Sequence, residues 1–206
     1  MKEERNFKTG TTTVGIVCKD GVVLAAERKA TMGYLIANKK VRKIMKLADY
    51  IAMTTAGSVG DAQAIERYLK AEIRLYELEE EARMSTRAVA TLLANILHSS
   101  RFFPYIVQLL IAGYDNKPRL FSFDPSGSLI EEDEFFSTGS GSVMALGVLE
   151  DNYKKEMGVE EAKRLAVRAV KAAIKRDIAS GGSGIDVAVI DKNGVKLFDA
   201  SEIEKK

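Results

Sequence analysis

Histidine and cysteine, the side chains most used for hydrolytic and metal chemistry near neutral pH, occur only once each in these 206 residues. A single cysteine, Cys18, closes no internal disulfide, and one Cys with one His does not suggest a zinc site, so no metal or other cofactor is expected. Any Ser-His-Asp triad would have to use His98. That residue lies in the apolar run LLANILHSS without a nucleophile-elbow sequence, and a half-buried structural role is expected for it. Cys18 has only Lys19 as a nearby cation and reads as inert strand packing. The glycine-rich TGSGS follows acidic residues and there is no GxxxxGK[ST], which excludes a phosphate loop.

Charge of one sign is also missing. With 31 Lys plus Arg against 29 Asp plus Glu, the net charge of +2 gives no electrostatic case for nucleic acid or a membrane surface as partner. No run approaches the roughly 18 apolar residues of a membrane span, and no charged-then-apolar leader is present, so a soluble, cytoplasmic chain is expected. Charged residues at 29% weakly suggest a heat-adapted source.

What is present is a hydrophobic content of 46%, enough for one large core. The β-rich runs TTVGIVCK and VVLAAER flank KDG, a tight-hairpin signature, and YLIA and YIAMTTAG continue the strands. Ser58 and Asp61 form an S-x-x-D start to a helix whose apolar residues Ala64, Ile65, Tyr68, Leu69, Ile73, Leu75, Tyr76 and Leu78 keep helical period, and STRAVATLLANILHSS gives a second. Strands follow at YIVQLLIAGYD, PRLFSFD and, as one element, SLIEEDEFF. Helices are expected at VMALGVLEDNY and over VEEAKRLAVRAVKAAIKRDIAS, the latter stopped by Gly181 and Gly182, before a hairpin of IDVAVID and VKLFD. Hairpins and paired helices in place of βαβ alternation argue for antiparallel sheets. Strands apolar on both faces, such as IVQLLIAG and DVAVI, need cover on two sides. The expectation is therefore an α+β, four-layer αββα sandwich, two antiparallel sheets between helix layers.

With imidazole eliminated, the stretch FKTGTTTVGIV becomes informative. Three threonines after a glycine are reasonable material for opening a strand. A threonine can also be a nucleophile without histidine if it carries the chain's own α-amine, whose unperturbed pKa of about 7.7–8.0 leaves a neutral fraction near pH 7. For Thr11 this requires removal of residues 1–10, with Gly10 offering an unhindered carbonyl to the Thr11 hydroxyl.

The segments KTGTTTVGIVCKDGVVLAAERKATMGYLIA, MTTAGSVGDAQ, PYIVQLLIAGYD and STGSGS…GVLE, in this order and spacing, resemble the β-type subunits of archaeal proteasomes over essentially the whole chain from Gly10 onward. The resemblance implies an N-terminal-nucleophile hydrolase fold, a propeptide at 1–10, and a single peptidase domain at 11–206. It implies a threonine endopeptidase that hydrolyses unfolded polypeptide delivered by a regulatory ATPase. The partners it implies are heptameric β rings, formed with itself or a second β subunit, stacked inside α-subunit rings. Thr11 would be the nucleophile, freed by autocatalytic cleavage after Gly10, with Glu27 and Lys43 as companions; related chains often carry Asp at the Glu27 position. Without the resemblance a Glu and a Lys read as solvated surface. A lysine ammonium there would lower the pKa of the neighbouring amine and hydroxyl, and the carboxylate would fix the lysine.

Ser140, otherwise a plain N-cap, would face the threonine amine. Asp177 and Ser180, otherwise an exposed helix end, would share one face of a last helical turn and support Ser140. Gly57 matches the backbone N–H of an oxyanion hole, and Thr31 with Gly57 would hold an extended peptide by strand addition. Ala30, Val41, Met45, Thr55 and Val59 would line an uncharged first pocket preferring large hydrophobic residues, with Met45 adaptable. Two further readings stay open: a β-type subunit that builds the ring or completes a neighbour's site, and a bacterial-type two-component threonine peptidase. The hairpin register bears on the site. A two-residue Asp20-Gly21 turn would set Glu27 opposite Val14. A three-residue Lys19-Asp20-Gly21 loop, with glycine left-handed, pairs Cys18 with Val22 and sets Glu27 opposite Thr13, on the Thr11 side; this register is expected.

Overall fold

The computed structural model describes residues 10–204. Twelve strands and five helices follow in the order β1 (Thr13–Cys18), β2 (Gly21–Glu27), β3 (Ala30–Met32), β4 (Leu35–Asn38), β5 (Ile44–Ala48), β6 (Ile51–Gly57), α1 (Val59–Glu79), α2 (Thr86–Ser99), β7 (Val107–Tyr114), β8 (Pro118–Phe123), β9 (Leu129–Glu132), β10 (Phe135–Thr138), α3 (Ser142–Asn152), α4 (Val159–Ile174), β11 (Ile185–Asp191), β12 (Gly194–Asp199) and α5 (Ala200–Glu204). One sheet runs β10-β1-β2-β11-β12, a second runs β5-β6-β7-β8-β9, and β3 pairs with β4 alone; every pairing is antiparallel.

Alternation along β2 explains the layers. Val23 and Ala25 face a core completed by Ala145 and Leu149 of α3 and Ala166 and Val170 of α4. Val22, Leu24 and Ala26 face Ile44, Ala52, Leu110 and Leu120 of the other sheet. That second sheet sends Ile51, Met53, Leu109 and Ile111 outward onto Ile65, Leu69, Leu93 and Leu97 of α1 and α2. A strand buried on both faces must be apolar throughout, which is why GVVLAAE has no polar residue before Glu27. The result is the αββα sandwich expected from the pattern.

Four sequence expectations are corrected. SLIEEDEFF is not one strand: β9 pairs with β8 in the second sheet, and β10 pairs with β1 in the first. The chain changes sheets at Asp133–Glu134, where Glu134 O accepts the Val17 N–H at 2.7 Å. The helix expected to reach Ser180 ends at Ile174. Beyond it the Asp177 carboxylate accepts from Ala179 N and Ser180 Oγ, and side-chain bonds of this kind compete with helix continuation. His98 is exposed, not half-buried, with Nδ1 3.3 Å from Ser126 O.

The fourth correction is the hairpin. The turn is Lys19–Asp20, Cys18 pairs with Gly21, and Thr13 pairs with Ala26, so neither register weighed from sequence occurs. Gly21 is a strand residue: a Cβ there would lie 2.7 Å from Ile190 O, so close approach of β11, not a left-handed turn, accounts for the glycine. Asp20 is free to serve another element, and its carboxylate accepts the Val159 N–H at 3.0 Å where α4 starts without a side-chain cap of its own.

Candidate active site

Strand β1 begins at Thr13, and Thr11 and Thr12 lead into it at the sheet's end. All three are buried. Alternation points Thr13 between the sheets, where its Oγ1 meets Thr138 Oγ1 at 2.6 Å and Thr54 Oγ1 at 3.1 Å. Thr12 points to the helix side, its Oγ1 2.6 Å from Ser180 Oγ. Thr11 Oγ1 donates to Gly10 O at 2.6 Å and accepts from Lys43 Nζ at 2.8 Å.

Lys43 precedes β5 and is 5% exposed; Glu27 closes β2 and is wholly buried. Lys43 Nζ is bonded to Glu27 Oε1, which also accepts the Thr12 N–H at 3.3 Å. Oε2 accepts the N–H groups of Lys29 at 2.6 Å and Gly181 at 3.0 Å. Four donors thus converge on one carboxylate. Burial holds the Lys43 ammonium below the ordinary lysine pKa, and Glu27 is the largest influence opposing that shift.

The nitrogen of Thr11 faces a second group. Its N–H donates to Ser140 Oγ at 3.2 Å, Ser140 Oγ donates to Asp177 Oδ2 at 2.6 Å, and Ser180 Oγ donates to the same oxygen at 2.5 Å. Asp177 and Ser180, although not on a helix, are therefore together beside Ser140. A Cβ at position 10 would overlap that of Ala179, so the residue before Thr11 has room only for glycine.

Gly57 ends β6 with φ 121°, and a Cβ there would collide with Ile106 O. Ser58 N–H donates to that oxygen at 2.7 Å, and Ser58 Oγ caps α1 by accepting from Asp61 N at 3.3 Å. Thr11, Val41, Lys43, Met45, Thr55, Gly57 and Val59 line a cavity of about 320 Å³, together with Arg42 and Gln63. Ala30 is not among these lining residues; it sits in β3 opposite Asn38. Arg42 and Gln63 carried no signal in the sequence, because a charged and an amide side chain beside an apolar pattern read as surface. Thr31 instead borders a neighbouring cavity of about 520 Å³ with Gly10, Ser140 and Asp177, and its Oγ1 is buried without a hydrogen-bond partner. Cys18 takes no part: burial pushes its thiol up to about 12. Among the described residues no group of three or more His, Cys, Asp or Glu could hold a metal ion, and no helix is long and apolar enough to cross a membrane.

A family model described as proteasome subunit matches residues 7–190. The chain belongs to the proteasome subunit family. A proteasome subunit beta of Methanocaldococcus vulcanius is 56% identical over 198 residues, covering 95% of this chain and 88% of the relative. That of Archaeoglobus fulgidus is 53% identical over 206 residues, covering 100% and 96%. A proteasome subunit beta 2 of Ignicoccus hospitalis is 57% identical over 188 residues, covering 91% and 88%. Within the proteasome family this chain is thus a β subunit of archaeal type.

Proposed function

We propose that the chain is a threonine peptidase that matures itself by cutting between Gly10 and Thr11. The observation that carries this reading is the Thr11 hydroxyl, held at 2.8 Å by a lysine ammonium that a buried carboxylate fixes in turn. In the uncut chain the Thr11 nitrogen is an amide and can take no proton, so the first reaction is on the chain itself. Thr11 Oγ1, already against Gly10 O, adds to the Gly10 carbonyl carbon; the bond from that carbon to the Thr11 nitrogen then breaks, and the proton lost by Oγ1 ends on the departing nitrogen, giving an ester and a free amine. Water hydrolyses the ester, leaving a Gly10 carboxylate on the released Met1–Gly10 and a free Thr11 amine.

That amine then has base and nucleophile on one residue. It takes the Oγ1 proton as Oγ1 attacks a substrate carbonyl. Lys43 lowers the cost of developing charge on Oγ1, Ser140 with Asp177 and Ser180 holds the amine, and the Gly57 N–H faces the developing oxyanion. The leaving amine takes the proton, and water releases the acyl group. Thr31 and Gly57 hold the peptide in extended form. The cavity walled by Val41, Met45, Thr55 and Val59 receives a large hydrophobic side chain before the scissile bond. As a proteasome β subunit, the chain works in heptameric β rings between α rings in the cytoplasm, on unfolded polypeptide supplied by a regulatory ATPase.

The full chain, expressed alone and together with α subunits, tests this by intact mass and by hydrolysis of fluorogenic peptides. Wild type loses Met1–Gly10 and cleaves after hydrophobic residues. Thr11→Ala keeps the segment and has no activity. A Thr11→Ala chain that is trimmed and active refutes the mechanism; a wild type that stays uncut and inactive in assembled particles points to a ring-building subunit.

A further inference from the structure

We infer that Thr12 is a positioning residue that ties the lysine side of this site to the amine side; the inference rests on the peptidase reading above. Thr12 is wholly buried and touches both groups at once: its N–H donates to Glu27 Oε1 at 3.3 Å, and its Oγ1 lies 2.6 Å from Ser180 Oγ. The direction of the second bond follows from its surroundings. A carboxylate accepts only, so both Ser140 and Ser180 spend their protons on Asp177 Oδ2. Ser180 Oγ is then left as acceptor, and Thr12 must donate.

The chain of bonds therefore runs from Thr12 through Ser180 to Asp177, and Ser140 joins it from the other end. Because the Ser140 proton is committed to Asp177, its lone pair faces the Thr11 nitrogen and accepts from it. A mature amine bonded this way keeps its own lone pair free for the Oγ1 proton. The space for the Thr12 hydroxyl is built in: a Cβ on Gly141 would collide with Thr12 Oγ1 and would stand 2.9 Å from the Ala173 Cβ. A residue that merely leads into a strand needs none of this, and Thr12 is not the nucleophile, the oxyanion donor or a residue of the cavity wall.

The test uses the full chain assembled with α subunits, comparing Thr12→Val, which keeps shape and loses the donor, with Thr12→Ser, which keeps the donor. Thr12→Val lowers kcat about 3- to 10-fold, the range of one neutral hydrogen bond, with KM for the peptide little changed. Its acid limb in the pH–rate profile moves to lower pH, because a less ordered Ser140 favours the protonated amine less. Thr12→Ser retains the wild-type rate and profile. A wild-type rate and profile in Thr12→Val overturns the inference, as does equal damage by Val and Ser. A second measurement covers loss of fold: in a Ser180→Ala background Thr12→Val adds no further loss, and an undiminished loss there overturns the inference. Thr11→Ala runs alongside. If it is active, the peptidase reading itself fails; if it is silent while Thr12→Val is unaffected, only the role of Thr12 falls.

Discussion

Replacing Glu27 by Gln tests the physical account of the site more sharply than replacing the nucleophile, because it predicts a stability loss with a definite pH dependence. The carboxylate is wholly buried and receives Lys43 Nζ and three backbone N–H groups, from Thr12, Lys29 and Gly181. An amide of the same shape keeps one acceptor oxygen and turns an NH₂ toward two of these donors. It also leaves the Lys43 ammonium, 5% exposed, without its counter-ion. Breaking a buried ion pair from one side costs about 3–5 kcal/mol. For a chain of this length each kcal/mol moves Tm by about 2–4 °C, so a fall of roughly 6–20 °C is expected near pH 6.

The loss is not constant with pH. Burial already places the folded-state Lys43 pKa below its unfolded value, and removing the Glu27 charge lowers it further. Between the folded and unfolded values the unfolded chain binds more protons, so this contribution to stability rises with pH. The window is wider in the variant than in wild type. The deficit is therefore largest in mildly acid buffer and narrows as pH rises toward the ordinary lysine value of about 10.4. Calorimetric or circular-dichroism melts of both chains at pH 6 and pH 9 read this directly. Adding Lys43→Met to Glu27→Gln recovers most of the lost stability without recovering activity. A deficit equal or greater at pH 9 refutes the argument that Glu27 balances the lysine charge.

Three other outcomes are expected. Lys43→Ala stops both maturation and turnover, since both reactions use the Thr11 hydroxyl; normal processing by intact mass would leave Lys43 a structural residue. In wild type, kcat/KM falls as pH rises through the folded Lys43 pKa, because the ammonium is the active form; burial places that limb below about 10.4, and a rate still flat at that pH would contradict it. Gly57→Ala forces a side chain to φ 121° against Ile106 O, which costs at least about 1–3 kcal/mol in a melt and, with the oxyanion donor displaced, lowers kcat by about 10²–10³-fold.

Legibility in the sequence followed the strength of the periodic signal. The helix after Ser58 was readable because its cap and its stripe agree, and the structure buries Ala62, Ile65, Leu69 and Ile73 while leaving Tyr68, Leu75 and Leu78 exposed. The strands β3 and β5 carry little sequence signal: β3 is only three residues and partly exposed, and β5, IMKLA, is interrupted by a charge. The break between β9 and β10 is hidden because Asp133, the one turn-forming residue there, stands in the acidic run EEDE with no glycine or proline beside it. The alanine-rich pattern before Asp177 and Ser180 is helical and predicts a helix through both; their own side-chain bonds, which composition does not reveal, compete with it beyond Ile174.

The hairpin register does not decide the site. Glu27 reaches the Thr11 corner without lying on the Thr11 side of the sheet. In the structure Glu27 pairs with Ile185 and shares the helix-facing side with Thr12, while Thr11 belongs with Thr13 on the other side. The two are linked nevertheless, through Lys43, because both stand at the end of the sheet. There Lys43, coming from the loop before β5, reaches Thr11 Oγ1 and the Glu27 carboxylate with one ammonium. Three consecutive threonines fit this corner because alternation sends Thr13 into the space between the sheets and Thr12 toward the helices. Thr11, beyond the last ladder pair, is left to face the lysine. One residue further in, the Thr12 hydroxyl lies against Ser180 on the helix side, so at the end of the sheet it is Thr11 that presents its hydroxyl to Lys43.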